Sequence, residues 1–223
     1  MSLETDRRSL LLAAAALAIP GAAAAAVPAA VPIAGAETAD GWAWLNAPKT
    51  WAWADGTLAC DAEPGSDFWR KTAGGPELDT GHFWFRRQTG DFTMTAVLDG
   101  DYAADADQTG LMLRLDAQTW MKHGVEWLKG QPHIASVFTR DWSDGTAAVI
   151  PTGPNGAKRP VRVRLKRAGQ TLFCAHALGD GEWVVDRYGY LPMGASVDLG
   201  VMAASPMGKG FAARMSKVEI KAA

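Results

Sequence analysis

Residues 108–139 read QTGLMLRLDAQTWMKHGVEWLKGQPHIASVFT, and the alternation in this stretch decides the fold. Successive side chains of a strand point to opposite faces, so every second residue belongs to one set. A turn at Ala117-Gln118-Thr119 predicts a hairpin that pairs Arg114 with Lys122, Met112 with Gly124, Gly110 with Glu126 and Gln108 with Leu128. A four-residue loop over 129–132 predicts a second hairpin, with Leu128 opposite His133, Glu126 opposite Ala135, Gly124 opposite Val137 and Lys122 opposite Thr139. Leu111, Leu113, Leu115, Val125, Trp127, Ile134 and Phe138 then face inward, with His123 and Ser136 as polar exceptions. The opposite face presents Gln108, Arg114, Lys122, Glu126, His133 and Thr139, with Gly110 and Gly124 between them.

Glycine inside a strand often marks close approach of a ligand. A few convergent polar groups are what orient a small ligand, and this set suits a polyhydroxylated or anionic one. The competing reading is a solvated face whose ions pair across strands, each pair adding less than about 1 kcal/mol.

Outward from this stretch the pattern repeats. Phe92-Met94-Ala96-Leu98, Val161-Val163-Leu165 and Leu172-Cys174 alternate with polar or small residues, and no long segment has helical period. Asp55-Gly56, Asp99-Gly100, Asp144-Gly145 and Asp180-Gly181 fall between such runs and read as turns, while residues 151–160, rich in proline and glycine, read as a loop. Short strands at this spacing mean an all-β sandwich or barrel.

Ahead of the strands, Arg7-Arg8 precedes an alanine-rich apolar run that ends at Ile19 before Pro20-Gly21. This is the layout of a twin-arginine-type signal peptide over residues 1–36, with cleavage expected after Ala36. The run is shorter than the ~20 residues that span a bilayer, so no permanent membrane anchor is expected. Export to the periplasm or beyond follows, leaving residues 37–223 as one domain. The net charge of −2 and the lack of a basic surface run argue against nucleic acid. Cys60 and Cys174 lack zinc spacing and read either as one disulfide or as two buried thiols.

Several stretches together resemble the concanavalin A-like lectin/glucanase superfamily, and within it the domain-of-unknown-function family that includes fungal "regulation of enolase" proteins. They are residues 64–71 (PGSDFWRK), Gly81-His82-Phe83, residues 89–92 (TGDF), residues 107–114 (DQTGLMLR), residues 120–126 (WMKHGVE) and Thr139-Arg140-Asp141. The resemblance implies a jelly-roll sandwich of two antiparallel sheets, with the polar face on the concave sheet. It also adds Lys71 and His82 to the candidate ligand-binding residues. It does not imply an enzyme.

Chemistry narrows the options further. Paired carboxylates of a glycosidase lie about 5–9.5 Å apart, yet only Glu126 stands mid-face, with Asp107, Asp116 and Asp141 at strand ends. A lyase would use His82, His133 or Lys122 as base, with Arg114 neutralising a uronate. No nucleophile elbow, Walker loop, zincin or redox motif occurs, and no cofactor or metal is expected. Asp99, Asp101, Asp105 and Asp107 read as a solvated acidic loop rather than a calcium site.

Among the ten tryptophans, Trp69, Trp84 and Trp142 fall where an indole could stack on a sugar, whereas the Trp42/Trp44 and Trp51/Trp53 pairs read as packing. The expected activity is carbohydrate or small-polar-ligand binding through Trp69, Lys71, His82, Gln108, Arg114, Lys122, Glu126 and His133. The alternatives are a polysaccharide lyase or hydrolase at the same face, or a regulatory module with a protein partner.

Overall fold

Phe92, Met94, Ala96 and Leu98 are buried while Thr93, Thr95 and Val97 are half-buried, the period-two signature of a strand with one wet face. The same rule builds the whole molecule. The computed structural model describes residues 40–153 and 158–223, so the signal-peptide reading of residues 1–36 lies outside the described residues.

The front sheet has the order β1 (Trp42–Leu45), β6 (His82–Thr89), β15 (Ser196–Ala204), β8 (Gln108–Arg114), β9 (Thr119–Leu128), β10 (Gln131–Arg140) and β11 (Trp142–Val149). The back sheet runs β14 (Val184–Tyr190), β13 (Thr171–Leu178), β12 (Val161–Ala168), β7 (Phe92–Gly100), β16 (Phe211–Ala222), β3 (Thr57–Ala62) and β2 (Trp51–Ala54). Within the two sheets every pairing of the described strands is antiparallel, as the resemblance implied. No described helix is long and apolar enough to cross a membrane.

Between the sheets lie Leu58, Met94, Leu98, Leu111, Leu113, Met121, Val163, Leu165, Leu199 and Met215, all without exposed surface. Each such side chain contributes about 1.5–3 kcal/mol through removal from water. Along one margin the edge strands β1 and β2 meet in a seam of five indoles. Trp84 sits in the middle, 5.9 Å from Trp42, 5.0 Å from Trp44, 5.2 Å from Trp51 and 6.1 Å from Trp53, centroid to centroid. The four alternating tryptophans therefore pack as expected. Trp84 corrects the expectation of a sugar-facing indole, because it is fully buried.

Two other expectations are corrected, and the choice left open at the cysteines is resolved as two buried thiols. Both hairpins of the deciding stretch are shifted by two residues: Glu126 pairs with His133 and Gln108, Gly124 with Ala135 and Gly110, and Lys122 with Val137 and Met112. Between β9 and β10 the cause is a two-residue turn, Lys129-Gly130, in which both residues adopt left-handed φ (51° and 74°) as a type I′ turn requires. Between β8 and β9 the Asp116 carboxylate accepts from the Gln118 and Thr119 amides and closes a turn that pairs Arg114 with Trp120. A shift of two preserves parity, so each side chain keeps its predicted face.

Asp55-Gly56 and Asp180-Gly181 do form connections, but Asp99-Gly100 ends β7 and Asp144-Gly145 lies inside β11. Cys60 and Cys174 are free, buried thiols. They sit on β3 and β13, with three strands between them, a separation of roughly 19 Å that no disulfide spans.

Candidate functional site

The outward face of the front sheet is ordered in rows. One row runs Ala204, Gln108, Glu126, His133 across β15, β8, β9 and β10, the next Met202, Gly110, Gly124, Ala135, and the next Gly200, Met112, Lys122, Val137. This face is not open along its length. Residues 63–81, which include the short ladder of β4 (Phe68–Trp69) and β5 (Leu78–Asp79), cross it as a strap.

Phe68 is completely buried and forms a second apolar cluster with Phe83, Phe85, Met112, Trp120, Val137 and Met202. The central strand β8 is consequently buried at every position, the core on one side and the strap on the other. The polar residues facing outward meet protein before they meet solvent.

The strap holds Arg114 and Lys122. The Arg114 guanidinium donates to Asp79 Oδ2 at 2.8 Å and to the Asp116 carbonyl at 2.6 Å. Burial depresses the pKa of Arg114 and raises that of Asp79, while the attraction between them opposes both shifts. Lys122 Nζ donates to the Phe68 carbonyl at 2.8 Å and lies 3.4 Å from Asp67 Oδ1. Gln108 Nε2 reaches the same carboxylate oxygen at 3.4 Å and the Ala106 carbonyl at 3.1 Å. Contacts of 3.4 Å are long for hydrogen bonds, so Asp67 is loosely held by both donors.

Glu126 stands apart from this bonding. Among the described residues its carboxylate has no hydrogen-bond partner, although it faces a pocket lined by Gln108, Lys122, Gly110, Gly124 and Ala135. Burial pushes its pKa up, and Asp67 adds to the shift, while Lys122 and His133 oppose it. A carboxyl group perturbed by burial and unpaired in a cleft is a candidate for a functional site. The pocket itself has closed to about 10 Å³, room for roughly one water.

The two glycines of the floor have a different cause from the one expected. A Cβ on Gly124 would lie 2.1 Å from the Thr109 carbonyl oxygen and 2.5 Å from the Gly110 Cα, and one on Gly110 would lie 2.8 Å from the His123 oxygen. Adjacent backbone, not ligand space, demands glycine there.

Of the eight expected residues, Gln108, Lys122 and Glu126 line this pocket, and His133 pairs with Glu126 on the neighbouring strand, half-buried at the rim. The others lie elsewhere or are engaged. His82 is buried: Nδ1 donates to the Asn46 carbonyl at 2.6 Å and Nε2 accepts from the Glu63 amide at 3.0 Å, which fixes the ring at the root of the strap. Lys71 donates to both oxygens of Asp141 at 2.8 Å, beside Arg70 at 2.9 Å. These donors hold the Asp141 carboxyl below its ordinary pKa. The Trp69 indole N–H donates to the Thr72 carbonyl at 3.0 Å and the ring lies over Gly145 of β11. Thr139 keeps its outward face but bonds to Ser143 and is buried beneath the strap.

The inward polar exceptions are explained together. His123 and Ser136 pair across β9 and β10, with Nδ1 2.9 Å from Oγ, and Asp186 lies 3.4 Å from Nε2 of His123 and 2.7 Å from Nδ1 of His176. In the acidic loop, Asp107 is buried and accepts from the Ala103 and Ala104 amides and from Ser205, which corrects its reading as solvated.

Sequence reasoning missed Asp67 and Asp79, the carboxylates that the strap brings to the face. Asp67 falls in the stretch of the family resemblance, but nothing local to it signals a partner on β8 or β9.

The family described as "Protein of unknown function (DUF1349)" matches residues 44–223. The chain is 30% identical over 179 residues to "Regulation of enolase protein 1" of Saccharomyces cerevisiae, covering 80% of this chain and 88% of that one. A crystal structure of a functionally unknown protein from the same yeast superposes with a TM-score of 0.77 at 28% identity, over 82% of this chain and 97% of that chain. The GH43 BlXynB protein of Bacillus licheniformis matches with a TM-score of 0.65 at 14% identity, over 82% of this chain and 37% of that one. The carbohydrate binding module CBM66 of Bacillus subtilis matches with a TM-score of 0.50 at 13% identity, over 86% and 100% of the two chains. The last two likenesses are of fold.

Proposed function

This chain belongs to the DUF1349 family, and from that premise we propose that it is an exported carbohydrate-binding module that grips one polar sugar unit at Glu126. The observation that carries the reading is the Glu126 carboxyl group, half-buried, raised in pKa by burial and without a hydrogen-bond partner among the described residues. Half-buried and unpaired, this carboxyl group can exchange hydrating water for a ligand hydroxyl without breaking a protein hydrogen bond. The sandwich fold shared with a carbohydrate binding module supports the class of ligand.

In the bound state Glu126 and Gln108 accept from and donate to neighbouring hydroxyls, and His133 closes the rim. Lys122 exchanges its long contact with Asp67 for a ligand oxygen. Because the pocket holds only about 10 Å³, binding requires the Asp67 end of the strap to lift or the sugar to rest on the mouth. Export rests on Arg7-Arg8 and the apolar run behind them.

A glycan array followed by calorimetry tests the reading. A sugar that binds wild-type protein and loses about tenfold or more in affinity with Glu126→Gln and with Gln108→Ala supports it. Binding of no sugar, or binding indifferent to both changes, refutes it. Specific capture of a protein without sugar affinity would instead favour the regulatory reading suggested by the yeast relative's name. Retention of an Arg7→Lys/Arg8→Lys variant in the cytoplasm, with wild type exported, tests the leader.

A further inference from the structure

The opposite side of the molecule, the outward face of the back sheet, is cationic where the front pocket is mixed. β12 alternates with buried Val161, Val163 and Leu165 inward, and Arg162, Arg164 and Lys166 outward. Arg162 pairs with Val97 and Arg164 with Thr95 of β7, and the same two β7 residues pair with Ser216 and Glu219 of β16. Between Ser216 and Glu219 the ladder is irregular. Val218 there packs against the core, and Lys217, with φ at 51°, lines the outward side. Bulges of this kind re-aim a side chain and recur beside functional sites.

Trp183, in the connection between β13 and β14, folds onto the two arginines. Its ring centroid is 4.9 Å from the Arg162 guanidinium carbon and 4.5 Å from that of Arg164. Stacking uses the flat face of a guanidinium and leaves its in-plane N–H donors free. Arg162 spends one of those on the Gly181 carbonyl at 3.1 Å, and its buried Nε–H has no partner. Among the described residues no carboxylate pairs with Arg162, Arg164 or Lys217. The one acid of the cavity wall, Glu219, is turned to Lys221 at 3.0 Å. Beside Trp183 lies a cavity of about 190 Å³, floored by Thr95 and Val97 and walled by Arg162 and Lys217. That is room for roughly six waters, or one sugar-sized unit.

We propose that this cavity is a second binding site, selective for the carboxylate or sulfate group of an acidic glycan. Arg162 supplies fixed donors suited to an oxyanion, Arg164 holds the Trp183 ring beside it, Lys217 supplies the countercharge from across the cavity, and the Thr95 hydroxyl lies at the floor for the sugar. The site shares no residue with the Glu126 pocket and stands whether or not that pocket binds sugar.

Native affinity electrophoresis of the whole protein tests it, in gels holding polygalacturonate, sulfated dextran or uncharged dextran. The expected result is retardation by one or both acidic polymers and none by uncharged dextran. Affinity should fall about tenfold or more in Arg162→Gln/Arg164→Gln and severalfold in Lys217→Ala, an exposed change that leaves the fold intact, while Glu126→Gln retains it. Whichever polymer retards identifies carboxylate or sulfate as the preferred anion. Absence of retardation by both, indifference to the Arg162/Arg164 and Lys217 changes, or equal loss in Glu126→Gln would overturn the proposal.

Discussion

Replacing Phe68 by alanine tests whether the strap is a structural layer or a decoration. Phe68 has no exposed surface, its ring stands 6.1 Å from that of Trp120, and it touches the backbone at Gly81 so closely that a Cβ there would lie 2.3 Å from the ring. The main-chain carbonyl that receives Lys122 survives the substitution, so the change removes the ring and little else. Truncating a fully buried phenylalanine costs about 3–5 kcal/mol when the site cannot collapse. For a domain of this size that lowers the midpoint by roughly 6–20 °C. Urea titration followed by near-ultraviolet circular dichroism, with hydrogen exchange at the β8 amides, reads both the magnitude and its location. A loss below about 1 kcal/mol, with β8 protection unchanged, would mean that the strap folds apart from the sandwich and that burial of β8 from outside adds nothing.

The Glu126→Gln change should separate binding from stability. Burial raises the folded-state pKa of Glu126 above its unfolded value, so the folded state holds the proton more tightly. Stability therefore rises as pH falls through that raised pKa, and the penalty for burying the charge is present above it. The glutamine variant should melt no lower than wild type at neutral pH and lose this part of the pH dependence; a clear drop in melting temperature would sink the argument. Gly124→Ala places a Cβ 2.1 Å from a carbonyl oxygen of the paired strand, and neither backbone can yield, so we expect insoluble protein or a loss beyond about 3 kcal/mol. Gly130→Ala meets open space at φ 74° and should cost only about 1–2 kcal/mol. Burial pushes the Cys60 and Cys174 thiols up to about 12, so neither should react with a thiol reagent at pH 8 until the protein is unfolded; rapid labelling of native protein would contradict their burial.

How far the sequence could be read depended on the range of the interaction. The faces of β8, β9 and β10 were legible because parity is a property of neighbours: Leu111, Val125 and Ile134 had to share a side whatever the turn. The register between β9 and β10 was two residues off because Lys129-Gly130 is a weaker turn signal than an Asn-Gly pair, and only the left-handed φ of Lys129 reveals it. Asp144-Gly145 looked like a turn, yet the glycine belongs to a strand that passes beneath Trp69. The gathering of Gln108, Lys122, Glu126 and His133 was visible from alternation. The occupation of Lys122 and Arg114 was not, because Asp67 and Asp79 arrive from a segment whose path is set by Phe68 packing on Trp120. His82 carried a family resemblance, but both its nitrogens are consumed by main chain that lies far away in sequence.

The indole seam fixes where a tether can enter. By locking Trp42 and Trp44 against Trp84, it anchors the beginning of the sandwich at the margin formed by β1, four strand positions and roughly 19 Å from β9. A fusion tag or linker joined ahead of Trp42 would therefore start at that corner, and about six extended residues would be needed before it could reach β9.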